Sequence, residues 1–224
     1  MSASSTEHEH EFEAEYGLPE PLPAGEHILW QGGPRFLRVF LDVFHARGLV
    51  LWFALIVLMR LALQWSEGAG GGEMLGTLIG LVPVFTLSLA LFAFMAWMVA
   101  RTTVYTLTDR RVVMRIGIVL SLTFNLPLSR LVAADVRALF DGGGDICLSL
   151  GAEDKIAYLN LWPHARPWVW TQPQPALRSL AQVGPVATLL RDAWQACRAE
   201  ATMAQDAPAA GALNASPLAE HHPA

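Results

Sequence analysis

Only two cysteines, Cys147 and Cys197, occur in 224 residues. They lie far apart, each inside an apolar pattern, which argues against a disulfide framework or a metal knot and suits small core side chains. Charge is scarce as well, at 16% of residues against about 25% in ordinary globular chains. The net charge is −5 and no Lys/Arg run of the kind that tracks a phosphate backbone is present, so nucleic acid is not an expected partner. Residues 1–26 hold acidic side chains but no Lys or Arg, the reverse of the basic opening of a secretory signal, and no cleaved export signal is expected. Catalytic signatures are missing too. There is no Ser-centred nucleophile elbow, no metal-ligand spacing, and no paired carboxylates or Cys/His pair in one motif. The chain is expected not to be an enzyme, with no catalytic, metal or cofactor-binding residues assigned and no cofactor.

What is abundant is apolar surface, with 53% of residues hydrophobic. That is too apolar for an ordinary soluble domain and too polar for a many-spanning transporter, so a mixed membrane and aqueous protein fits. Residues 1–25, acidic with Pro19, Pro21 and Pro23, cannot bury enough surface to offset their ordering entropy and read as a disordered tail. Residues 26–34 read as a short isolated strand ended by Gly32, Gly33 and Pro34.

Residues 35–101 are expected to form a membrane hairpin, with helices at about 44–65 and 74–100. No charged residue interrupts 74–100, a stretch that would measure roughly 40 Å as a helix and so exceed the ~30 Å hydrocarbon core. Pro83 within it is expected to kink the helix, and Gly76 and Gly80 to let the partner helix approach. In the first span Arg60 can snorkel toward an interface marked by Trp65, or can act as a functional intramembrane charge. The connection at 66–73 is short, Gly-rich and acidic. Arg35, Arg38 and Arg47 precede the hairpin, and Arg101, Arg110, Arg111 and Arg115 follow it. By the positive-inside rule both tails are expected in the cytoplasm and the Gly-rich loop in the periplasm, placing the protein in a bacterial inner membrane.

Beyond residue 101 the apolar period changes from helical to two. Leu120, Leu122, Phe124, Leu126 and Leu128 alternate with polar residues or proline, and Val132, Ala134, Val136, Ala138 and Phe140 repeat the alternation. Each set predicts a half-buried strand. Asp141 followed by Gly142, Gly143 and Gly144 predicts a turn, and strands are expected again around 146–150 and 155–162. Val183, Val186, Leu190, Ala193, Trp194 and Cys197 then recur at helical spacing, with Pro185 in the first turn. Antiparallel strands followed by one amphipathic helix suggest a small bent sheet or barrel with a plugged end. The soluble part is thus expected at 26–34 and 102–201, with 202–224 a disordered tail.

The run Thr102-Thr103-Val104-Tyr105-Thr106-Leu107-Thr108-Asp109-Arg110-Arg111-Val112-Val113 resembles the strand-turn-strand signature of bacterial PH-like domains. That resemblance implies an α+β membrane protein: a transmembrane helical hairpin inserted into a PH-like split β-barrel capped by a C-terminal helix. A narrower match comes from Glu11-Phe12-Glu13, residues 17–26, residues 111–119, Phe124-Asn125-Leu126-Pro127 and Leu161-Trp162-Pro163-His164-Ala165-Arg166-Pro167-Trp168. Together these resemble the PuhB family of photosynthetic reaction-centre assembly proteins. The resemblance implies an inner-membrane assembly chaperone of purple bacteria. Its partners would be reaction-centre and core-antenna subunits or their intermediates and membrane lipid, with a homo-oligomer possible. The alternative is a general bacterial PH-like module that binds lipid or partner proteins and has no link to photosynthesis.

Trp162, His164, Arg166 and Trp168 are the candidate partner contacts, because Trp, His and Arg between two prolines make a stiff loop with aromatic and cationic faces. Packing of the two Trp beneath the barrel, with Arg166 stacked on one, is the competing reading. Arg101, Arg110 and Arg111 are the candidate lipid-surface contacts, each worth about 1 kcal/mol against anionic headgroups, and otherwise simply a hairpin turn. His27, His45 or His164 could ligate a bacteriochlorophyll magnesium, although His45 reads better as an interfacial residue at a helix start. His8 and His10, or His221 and His222, lack the fixed geometry of a metal site.

Overall fold

The computed structural model describes residue 18 and residues 20–117, 121–151 and 156–206. Most of residues 1–25, all of 207–224 and the turn at 152–154 therefore lie outside the described residues.

Two sheets share one core. The first has the order β1 (Ile28–Gly32), β2 (Val104–Thr108), β3 (Arg111–Ile116), β4 (Leu122–Pro127), all antiparallel. The second has the order β5 (Leu131–Ala138), β6 (Gly144–Leu150), β7 (Ala176–Leu180), again antiparallel. A 3-10 turn at Leu128–Arg130 joins them. Tyr105, Leu107, Val112 and Met114 from the first sheet meet Ile146, Leu148 and Leu177 from the second. The amphipathic helix α5 (Val183–Asp206) closes the space with Val186, Leu190 and Ala193, as its 3.6-residue apolar spacing requires. The architecture is mixed α+β, but the expected barrel is open: among the described residues the two sheets remain separate ladders.

Between β1 and β2 the chain leaves the domain and returns. Helix α1 (Phe36–Arg38) runs into a π-helical turn, Val39–Val43, and is followed by α2 (Ala46–Ser66) and α3 (Gly71–Thr102). Both long helices are apolar and long enough to cross a membrane, and almost none of their apolar windows is buried within the protein. Such a surface is stable only in a non-aqueous solvent or against other helices. The pair is held by Phe53 stacked on Phe85, with centroids 4.3 Å apart. Near the connecting loop the Thr77 hydroxyl donates to Gln64 Oε1 at 3.0 Å. At the opposite end, Ala96 and Val99 of α3 are buried against Val39.

The hairpin does not break the sheet. Trp30 faces Leu107 and Gly32 faces Tyr105 in register, and Gln31 Nε2 donates to Thr106 Oγ1 at 3.0 Å. Glu26, just ahead of β1, receives both Nε and a terminal nitrogen of Arg111 at 2.7 and 2.9 Å. This bidentate pair pins the start of the domain to β3.

Four details differ from the sequence expectations. Residues 158–161 form a single helical turn, α4 (Tyr158–Leu161), rather than part of a strand, because the prolines that follow cannot donate to a ladder. The third place in the second sheet goes to β7, whose five residues are all buried and so show no alternation. In β5 a register shift between Leu131 and Ala133 turns Leu131 inward and leaves Val132 exposed, and Phe140, beyond the end of the strand, is exposed as well. Helix α5 continues to Asp206 instead of stopping at 201, since Ala, Met and Gln there are good helix formers.

Candidate functional site

The segment between β6 and β7 carries the aromatic cluster. Its frame is set by backbone bonds: Arg166 N–H donates to Gln174 O at 2.9 Å, and Ala176 N–H to His164 O at 2.8 Å. A further bond runs from Leu148 N–H to Pro175 O at 2.7 Å. The loop is thus an irregular extension of the second sheet, pointing its tip toward the start of α2.

His164 anchors it from inside. The ring is 2% exposed and lies edge-on to Tyr105, with centroids 5.7 Å apart. Its Nδ1 is 2.6 Å from the Tyr105 hydroxyl and its Nε2 is 3.1 Å from Thr103 Oγ1. The Tyr105 oxygen also accepts the Arg178 backbone N–H at 3.3 Å. The consistent assignment has Tyr105 donating to Nδ1 and Nε2–H donating to Thr103. Burial, reinforced by the Arg178 charge, pushes the imidazole pKa down to about 3, so the ring is neutral. Burial likewise raises the Tyr105 hydroxyl above its ordinary value. His164 was expected to face a partner; its place in the interior instead makes it a structural strut.

The other three candidates remain at the surface. Arg166 donates to Asp135 Oδ2 at 2.6 Å and Gln174 Oε1 at 2.9 Å, and so ties the loop to β5 rather than stacking on a tryptophan. Trp162 is half exposed and meets Phe44 edge-on at 6.0 Å. Phe44 in turn touches Phe92 of α3 at 6.0 Å, so the loop is packed onto the base of the helical hairpin. Trp168 is 83% exposed and has φ of +66°.

Trp170, which the sequence reading passed over, is also exposed and packs on Tyr158 with centroids 4.4 Å apart. The signal for it was the Trp-Val-Trp alternation that it completes with Trp168. Below them, Arg178 of β7 is 8% exposed and donates to Pro163 O at 3.2 Å. No motif marks it, because it sits inside a strand buried on both faces.

An L-residue in the left-handed region is strained by about 1–2 kcal/mol. Trp168→Gly is therefore expected to leave stability within about 1 kcal/mol of the parent, relief of strain being offset by the greater freedom of an unfolded glycine. Thermal unfolding in detergent checks this, and a loss well beyond that bound would mean that the indole packs inward.

The three arginines proposed for a lipid surface differ in circumstance. Arg101, at the end of α3, lies over the Trp97 ring at 5.5 Å. Arg110 lies in the turn between β2 and β3, at the end of β2 remote from α3. Arg111 is committed to Glu26, which leaves its charge compensated and removes it as a free headgroup contact. The two cysteines are free thiols; burial raises the pKa of Cys147 and so keeps it protonated and unreactive. His45 precedes the first turn of α2 with φ of +55°, and its Nδ1 lies 3.1 Å from Val43 O, outside the helix, so the side chain makes no capping bond.

A family model described as the bacterial PH domain matches residues 41–194. The chain belongs to that family, an open two-sheet domain carrying two long apolar helices. A protein of Rhodobacter capsulatus described as an uncharacterized 23.7 kDa protein in the puhA 5′ region is 34% identical over 192 residues. The match covers 85% of this chain and 90% of the relative. No solved structure matches significantly.

Proposed function

We propose that this protein is a non-catalytic assembly factor of the PuhB type. Its hairpin spans the bacterial inner membrane with both termini in the cytoplasm, and its PH-like domain engages nascent subunits of the photosynthetic reaction centre and its core antenna. The observation that carries the reading is the aromatic rim of Trp162, Trp168 and Trp170, exposed at the base of the hairpin. A rim placed there meets partners where their own helices enter the membrane. The Rhodobacter capsulatus relative adds the link to puhA, and the PuhB-like motifs around Trp162 and Arg111 add the family role.

Trp side chains at such contacts typically cost about 2 kcal/mol or more when truncated, a roughly thirtyfold loss of affinity. Cells carrying Trp168→Gly together with Trp170→Ala are expected to contain normal amounts of this protein and severalfold less reaction centre, read from near-infrared absorbance of membranes. Normal reaction-centre yield beside a stable variant would remove the rim as a contact. The competing reading is a general PH-like lipid module, favoured by the Arg101–Trp97 pair at the end of α3. It predicts that deletion disturbs growth without photosynthesis, which the assembly reading does not.

A further inference from the structure

Arg178 sets up a chemical problem that the assembly role does not address. Its side chain is more than nine-tenths buried and its Nε has no hydrogen-bond partner among the described residues. Nor is it in an ion pair there, unlike Arg38, Arg111, Arg137 and Arg166, which each meet a carboxylate. A buried charge without an ion-pair partner is costly, and an anion bound beside it would offset that cost.

The space beside Arg178 indicates what that is. It borders a cavity of about 180 Å³ lined also by Tyr158, Trp162, Trp168 and Trp170 and by Val43 and His45. The cavity thus lies beside the residues that lead into the first turn of α2. A guanidinium is a donor group suited to phosphate oxygens. Here Nε is sealed from the cavity and one terminal nitrogen is held by Pro163 O, so the other terminal nitrogen would meet the anion. Interfacial tryptophans suit the glycerol and the first acyl carbons beside it. The volume is below the roughly 300 Å³ where drug-sized sites begin, so a headgroup fits and a pigment macrocycle does not. A choline group would suit aromatic walls but would be repelled by the guanidinium.

We propose that the Arg178 cavity binds the phosphate of an anionic glycerophospholipid, holding one lipid molecule between the PH-like domain and the start of the hairpin. The site is separate from the arginines of the β2–β3 turn. It rests on the proposed membrane insertion of the hairpin, but not on any role in photosynthesis.

The test uses full-length protein in dodecyl maltoside, titrated separately with phosphatidylglycerol, phosphatidylcholine and inorganic phosphate while the thermal unfolding midpoint is followed. Phosphatidylglycerol is expected to raise the midpoint at a concentration at least tenfold lower than phosphatidylcholine, and Arg178→Gln to erase that preference. Equal response of the parent protein to the two lipids overturns the proposal, as does a folded Arg178→Gln protein that keeps the preference. If Arg178→Gln does not fold, Trp170→Ala at the cavity wall takes its place, with a severalfold weaker phosphatidylglycerol response expected and an unchanged one counting against the site. Inorganic phosphate that reproduces the lipid's shift keeps the anion site but assigns it to soluble phosphate; no shift assigns it to lipid. Because no reaction-centre subunit is present, this result can fail while the yield phenotype stands, and the reverse.

Discussion

Glu26→Ala is expected to destabilise the domain by about 3 kcal/mol, the lower end of the 3–5 kcal/mol cost of orphaning one member of a buried ion pair. The lower end applies because the Arg111 side chain is 24% exposed whereas that of Glu26 is 4% exposed, so water can reach one partner after the cut. The bidentate bond joins the residue before β1 to β3, with both long helices lying between them in sequence. Among the described residues β1 is a five-residue edge strand whose one ladder is with β2, with Trp30 packed on the core. Loss of the pair should therefore release β1 first. Amide hydrogen exchange is expected to rise at residues 28–32 before the β2–β3 hairpin responds, and the unfolding midpoint in detergent to fall. Arg111→Ala should cost about as much or slightly more, because it leaves the more deeply buried carboxylate alone. The double variant should be more stable than the sum of the two losses predicts, with a coupling of about 1–3 kcal/mol. Strict additivity would mean that the contact contributes nothing to holding β1.

The parts of the fold that were legible in the sequence are those where one strong signal acts locally. The absence of charge from 74–100 marks α3 because a charge there would have to be buried in hydrocarbon, and the helix found, Gly71–Thr102, extends only a few residues further. The spacing of Val186, Leu190 and Ala193 marked α5 in the same way. Period-two alternation located β4 and β6, where one face meets the core.

It misled at the start of β5, where a register shift puts Leu131 in the core in place of Val132 while Ala134 still packs inward, because a bulge leaves no trace in an alternating pattern. It was silent at β7, since a strand buried on both faces does not alternate. The aromatic loop was legible as a concentration of Trp, His and Arg, but not in its internal division of labour. Which of those side chains turns inward depends on Tyr105 and Thr103, some sixty residues away in sequence, and no spacing within 162–168 encodes them. Arg178 was hidden for the same reason, as its significance lies in what does not surround it.

The largest effect within the aromatic loop is expected from His164. His164→Ala would leave a cavity and strip the Tyr105 hydroxyl and Thr103 of their shared partner, and the combined cost is about 3–5 kcal/mol. The same residue should also make stability depend on pH. Its folded pKa, about 3, lies below the ordinary 6.5, so the unfolded chain takes up a proton that the folded chain refuses. Stability from this group is complete above pH 6.5 and is lost as the pH falls from 6.5 toward 3, by up to about 1.4 kcal/mol per unit.

Between pH 7 and pH 5 the parent protein is thus expected to lose about 2 kcal/mol through His164 alone. Carboxylates titrate mostly below that interval, and a His164→Gln protein, polar but without a titrating ring, should lose that much less between the two pH values. Urea unfolding of both proteins in the same detergent at pH 5, 6 and 7 measures the difference. Parallel pH profiles would mean that the imidazole is solvated in the folded protein, and the anchoring of the loop through Tyr105 would have to be abandoned with it.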